Sequence, residues 1–123
     1  THPLRGDMET CKDFSLVAGE TYVISGAVVD DDDVRIDMTG GEVEWATAGD
    51  VLTKSTALAT IAWLLQSQGT FTISLSAVET AAFTTEKGAY TGHSCWAKTA
   101  AGAIIRVWTG KIRTDAPIVT PIA

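Results

Sequence analysis

The chain has 123 residues, 46% of them hydrophobic and 20% charged, the make-up of one globular domain that folds without metal or disulfide staples. Its 15 acidic and 9 basic side chains leave a net charge of −6, which excludes the basic footprint needed for nucleic acid or for an anionic membrane surface. The longest apolar run, Ile61-Ala62-Trp63-Leu64-Leu65, falls far short of the roughly 20 residues of a membrane-spanning helix.

Residues 1–12 read as a polar N-terminal arm, 13–114 as the folded domain and 115–123 as a C-terminal tail punctuated by Pro117 and Pro121. The opening Thr1-His2-Pro3-Leu4-Arg5-Gly6-Asp7 lacks the apolar stretch of a signal peptide. Its Arg5-Gly6-Asp7 matches an integrin-binding tripeptide, but so short a match reads as ordinary polar arm.

Thr21–Val29 is rich in β-branched and aromatic residues and reads as the first long strand. Asp30-Asp31-Asp32-Asp33 breaks it as a hairpin turn. Val34–Met38 alternates apolar and charged residues and is expected to be the return strand. After Thr39-Gly40-Gly41, Glu42–Ala46 alternates again, with Val43 and Trp45 on one face. Ala48-Gly49-Asp50 is a turn signal. Val51–Ser55 and Ala57–Leu65 follow as strands; Leu58, Ile61, Leu64 and Leu65 also fit a helical period, but Thr56, Thr60, Ile61 and Trp63 favour the strand. Thr70–Leu75 points Phe71, Ile73 and Leu75 to one side and Thr72 and Ser74 to the other. Ser76-Ala77-Val78-Glu79 is a capping box opening a short helix near residues 77–83. Ala89–Lys98 and Ala103–Thr114 complete the strands.

About seven or eight short strands with Gly and Asp turns predict an all-β fold, an antiparallel β-sandwich or small barrel. No βαβ alternation points to a dinucleotide cleft.

Little in the chain points to catalysis. His2 lies in the arm, and His93 neighbours Ser94 on a strand, where adjacent residues face opposite ways. The expectation is no catalytic residue, no cofactor and no metal. Asp30–Asp33 supplies carboxylates that suit a calcium ion, yet no bidentate Glu follows at EF-hand spacing, so a solvated acidic turn is the simpler reading. The cysteines, Cys11 and Cys95, are too few for a disulfide scaffold and match no zinc spacing. They read either as free thiols or as a bridge within the domain or between subunits.

The four tryptophans, Trp45, Trp63, Trp96 and Trp108, suit core and interface anchors or, alternatively, a stacking platform for sugars or bases. In the last strand Ile104, Trp108 and Ile112 share one parity, and Ile105 and Val107 the other. One face belongs to the core, and the other needs cover, most simply from another subunit. Trp108, Ile104, Trp63 and Trp96 are therefore the interface candidates.

Several strings in order resemble a small β-sandwich domain of tailed-bacteriophage virion proteins, including the immunoglobulin-like N-terminal domain of upper baseplate proteins. They are Gly19-Glu20-Thr21-Tyr22, Asp37-Met38-Thr39-Gly40, Phe71-x-Ile73-x-Leu75-x-x-x-Glu79-Thr80-Ala81, Gly88-x-Tyr90, Ala101-Gly102 and Gly110-x-Ile112. The resemblance runs from Gly19 to Ile112. It departs at the acidic turn, which lacks Asp-Gly, and at Gly92-His93-Ser94-Cys95, where the pattern is more apolar. It implies a virion-located structural protein, made in the host cytoplasm, that forms homo-oligomers and contacts other virion proteins. It also implies no enzyme activity and no nucleic-acid or membrane partner. In that setting a Cys11–Cys95 bridge between subunits would lock the assembly. The contrasting expectation is a carbohydrate- or receptor-binding sandwich that uses exposed Trp.

Overall fold

A computed structural model describes residues 12–86 and 88–116. Eight strands follow in order: β1 (Phe14–Val17), β2 (Tyr22–Ala27), β3 (Glu42–Thr47), β4 (Thr53–Ser55), β5 (Ile61–Leu65), β6 (Thr70–Leu75), β7 (Thr91–Lys98) and β8 (Ile104–Asp115). One helical turn, α1 (Ala77–Thr80), joins β6 to β7. The strands form one sheet ordered β1-β8-β7-β3-β4 and another ordered β2-β6-β5. That division of strands is the one found in an immunoglobulin-like β-sandwich.

The pairing is antiparallel with one exception. β1, which carries no clear strand signal of its own, runs parallel to the end of β8, with Phe14 opposite Ile112 and Val17 opposite Asp115. The expected strand Val34–Met38 does not form; only an isolated bridge joins Val29 to Arg35. Its backbone crosses the edge of the core instead. Ile36 N–H donates to the Val28 carbonyl and Met38 N–H to the Gln66 carbonyl, each at 2.9 Å. The crossing drops Met38 into the core with no exposure and leans Ile36 on it, while Val34 stays 58% exposed. The segment Ala57–Leu65 is strand only from Ile61, because Ala59 takes a left-handed conformation at φ 59° and turns the chain.

Alternation fills the core. Ile24, Val43, Trp45, Phe71, Ile73, Cys95 and Ile112 project between the sheets, each 2% exposed or less. The ring of Trp108 stacks on Phe71 with centroids 5.7 Å apart, directly over Gly26. A Cβ at Gly26 would lie 2.5 Å from the Trp108 ring, so only a residue without a side chain admits the tryptophan there.

The β7–β8 ladder contains a bulge. Cys95 faces Trp108, but the next residue, Trp96, faces Arg106, leaving Val107 unmatched. An extra residue on one strand reverses its inside–outside alternation. Beyond the bulge Ile105 leans on the core, while Ile104 and Arg106 face solvent. The shared parity of Ile104 with Trp108 therefore does not put them on one face.

Candidate functional site

Two places on β7 and β8 gather distinctive side chains, one buried and one exposed. The buried group is built on three neighbouring strands. Trp45 on β3 and Trp108 on β8 both face Cys95 across their ladders, and His93 lies one inward position along β7. Both indole N–H groups donate to His93 Nδ1, Trp45 at 3.0 Å and Trp108 at 3.1 Å. An indole N–H only donates, so Nδ1 is the acceptor and the proton sits on Nε2. That Nε2–H donates to the Lys12 carbonyl at 2.7 Å. Phe14 closes the group, edge-on to the imidazole with centroids 5.1 Å apart.

This arrangement holds His93 neutral. Burial pushes its pKa below 6.5, outweighing the opposing pull of the Lys12 carbonyl and the Asp13 charge. Geometry acts in the same direction, since a proton on Nδ1 would point at two N–H donors. His93 thus has no lone pair to offer a substrate, and Ser94 lies on the opposite side of the strand. The imidazole is a clamp: it satisfies two buried indoles and fastens the chain entering β1 to the sheet. Gly110 makes room for that entry, because a Cβ there would collide with the Lys12 carbonyl.

Cys95 sits between the two tryptophans as a free thiol with no exposure, and burial pushes its pKa strongly upward. Cys11 lies outside the described residues. The inter-subunit bridge requires a surface Cys95, whereas its sulfur faces the core. Trp108 corrects the interface expectation in the same way: it is 3% exposed within its own domain. Trp63 is half-buried, edge-on to Phe71.

The helix cap forms as expected. Ser76 Oγ accepts from Glu79 N–H at 3.2 Å, and Glu79 Oε1 accepts from Ser76 N–H at 2.8 Å. The structure adds Lys54, whose Nζ lies 2.7 Å from Glu79 Oε2. Burial raises the Glu79 pKa, but the bonds from Lys54 and Ser76 outweigh it and hold the carboxyl low. The neighbouring Thr80 hydroxyl, fully buried, donates to the Glu20 carbonyl at 2.8 Å and accepts from Gly19 N–H at 3.0 Å. Two strings far apart in sequence, Gly19-Glu20 and Glu79-Thr80, thereby meet.

In the acidic turn, Asp30 Oδ1 accepts from the N–H groups of Asp32 and Val34, at 2.9 and 3.0 Å. The carboxylate shapes the turn. Among the described residues, no three His, Cys, Asp or Glu side chains converge as a metal site.

The exposed group lies on the outer face of the larger sheet. Register fixes two rows across β3, β7 and β8: Glu44, Trp96, Arg106 and, beside it, Glu42, Lys98, Ile104. Trp96 is 39% and Ile104 63% exposed. The Arg106 guanidinium covers part of the Trp96 ring, 5.3 Å from its centroid. A groove of about 240 Å³ runs between Glu42, Glu44, Ser55, Trp96, Lys98 and Ile104. No sequence signal singled out Glu42, Glu44, Lys98 or Arg106, because charged residues on a strand's outer face are common. Only the register brings them together.

No family model matches this chain, and no curated protein matches it. Among solved structures, the chain is similar to one of ICOS in complex with ICOS-L and an anti ICOS-L VNAR domain. The likeness has 14% identity and a TM-score of 0.46, covering 86% of this chain and 54% of that one. It is also similar to Drosophila OTK extracellular domains 3-5, at 14% identity and TM-score 0.41, covering 83% of this chain and 31% of that one. This chain spans about half the length of the first of these.

Proposed function

We propose that this domain is a non-enzymatic structural component of a tailed-phage virion: a neck, baseplate, fibre-anchoring or capsid-decorating module that acts through contacts with other virion proteins. The observation that carries the reading is the outer face of the larger sheet. There an exposed Trp96 and Ile104 share their rows with Glu44, Arg106, Glu42 and Lys98 instead of the wholly polar surface of a solvated sheet. The phage-like strings also occupy positions that shape the fold. Met38 plugs the core, and Thr80 ties α1 to the chain ahead of β2. The carbohydrate-binding alternative is weaker, since Trp45 and Trp108 are buried, Trp63 is half-buried, and Arg106 already lies over Trp96.

The test is immunogold electron microscopy of purified particles from the producing culture, with antibody raised against this chain. Label at one fixed place on the particle is the expected result. Chain found wholly in the particle-free fraction overturns the proposal.

A further inference from the structure

We infer that the outer face of the larger sheet binds a second copy of this chain, about a two-fold axis that runs parallel to the strands over β7. The inference rests on the reading of the domain as an assembly module and names the partner for that face.

The argument is one of register and charge. The outer row is ordered acid, aromatic, base: Glu44 on β3, Trp96 on β7 and Arg106 on β8. Sheets that pack face to face lie about 10 Å apart with strands nearly aligned. A two-fold axis along β7 keeps each residue at its own level along the strand but exchanges left and right. It therefore lays β3 of each copy over β8 of the other. Glu44 then faces the partner's Arg106, and Arg106 faces the partner's Glu44. Trp96 meets its own counterpart at the axis. One level along, Lys98 meets its counterpart near the axis with the Glu42 carboxylates of both copies flanking the two ammonium groups, and exposed Ile104 comes to lie over the aliphatic part of the partner's Glu42. The Glu44–Arg106 row is self-complementary, as a two-fold interface requires, and the Glu42–Lys98 row carries as many acids as bases. Among the described residues neither Glu44 nor Arg106 is engaged in an ion pair within its own chain, so both charges are free to pair across the axis. A buried aromatic pair flanked by ion pairs is the usual make-up of an energetic interface centre.

Charge exchange tests this. The full chain is studied by sedimentation velocity from about 1 μM to about 1 mM, a range that brackets weak to moderate dimers. Wild type is expected to move from monomer toward dimer. Glu44→Arg and Arg106→Glu each set like charges opposite each other twice per dimer, and each is expected to weaken dimerisation about tenfold or more. The double variant Glu44→Arg/Arg106→Glu restores both pairs and is expected to recover the wild-type constant to within about threefold. Thermal melting of each variant checks that it folds, and either single variant suffices should the other fail. A wild type monomeric throughout overturns the inference, as does a double variant no better than the singles. Particle labelling does not depend on these constants, so a virion module that stays monomeric is distinguishable from a dimer with no place in a particle.

Discussion

The β7–β8 ladder presents two different faces, and the bulge at Val107 decides which β8 side chains join each. On the inner face, His93, Cys95 and Trp108 line a dry interior in which every polar atom of the two indoles and the imidazole has a partner. On the outer face, Trp96, Ile104 and Arg106 meet solvent. Both faces hold a tryptophan and a basic side chain. On the inner face the tryptophan ring fills the core and its N–H anchors a neutral imidazole; on the outer face the ring lies under the Arg106 guanidinium. Residue type therefore says little about role here. Alternation along unbroken β7 turns Trp96 outward beside inward Cys95, and the unmatched Val107 on β8 places Arg106 outside with it, although Arg106 shares the parity of buried Trp108.

The largest effect expected from breaking this contrast comes from the tryptophans themselves. Trp108→Ala removes a ring stacked on Phe71 and leaves a cavity, at a cost of about 3–5 kcal/mol. Trp96→Ala removes an exposed ring and is expected to cost under about 1 kcal/mol. Urea unfolding of both variants measures the difference, and equal losses would erase the distinction between the two faces.

Next comes His93→Leu. It leaves two buried indole N–H groups without an acceptor, each worth about 1–3 kcal/mol. The pH dependence sharpens the test. Because the folded-state pKa of His93 lies below 6.5, its unfolded-state value, the unfolded chain takes up the proton first as pH falls. The stability contributed by the neutral imidazole is complete above pH 6.5 and is lost as pH falls from there through the folded-state pKa. Wild type is expected to lose stability across that window, and His93→Leu to lose this component of the slope. Chemical denaturation at a series of pH values reads both.

Smaller again is the cap, which lies outside the ladder and serves as its control. Ser76→Ala is expected to cost about 0.5–2 kcal/mol, with no change in the pH window assigned to His93. Glu79 titrates lower: its folded pKa is held below 4.5, so its contribution is present above that value and is lost as pH falls through the folded pKa. A thermal melt of Ser76→Ala at neutral pH, and of wild type below pH 4.5, checks the two statements. The smallest effect belongs to Ala59→Gly, which relieves a left-handed alanine at φ 59°. A gain of under about 1 kcal/mol in urea unfolding is expected.

Much of this fold was legible in the residues. Thr70–Leu75 and Glu42–Ala46 alternate cleanly, and their inward residues, Phe71, Ile73, Leu75, Val43 and Trp45, are the ones buried. The capping box is a local code, written in four residues and satisfied within them, so it survived folding unchanged. Val34–Met38 shows where alternation misleads. A period of two says which side chains share a face, but a strand also needs a continuous neighbour, and past the Val29–Arg35 bridge the segment leaves the hairpin and Met38 N–H goes to the Gln66 carbonyl. β1 shows the converse, since a short segment with little pattern becomes a strand because β8 offers it an edge.

By itself the sequence determined the class of fold, most strand positions, the helix cap and the net negative charge, because each follows from local spacing or from composition. The tertiary structure decided which tryptophans lie inside, that His93 clamps two of them, and that Glu44, Trp96 and Arg106 form one row. Those facts depend on register between strands distant in the chain. A single extra residue at Val107 reverses every β8 side chain beyond it, and no local pattern fixes where the partner strand places that shift.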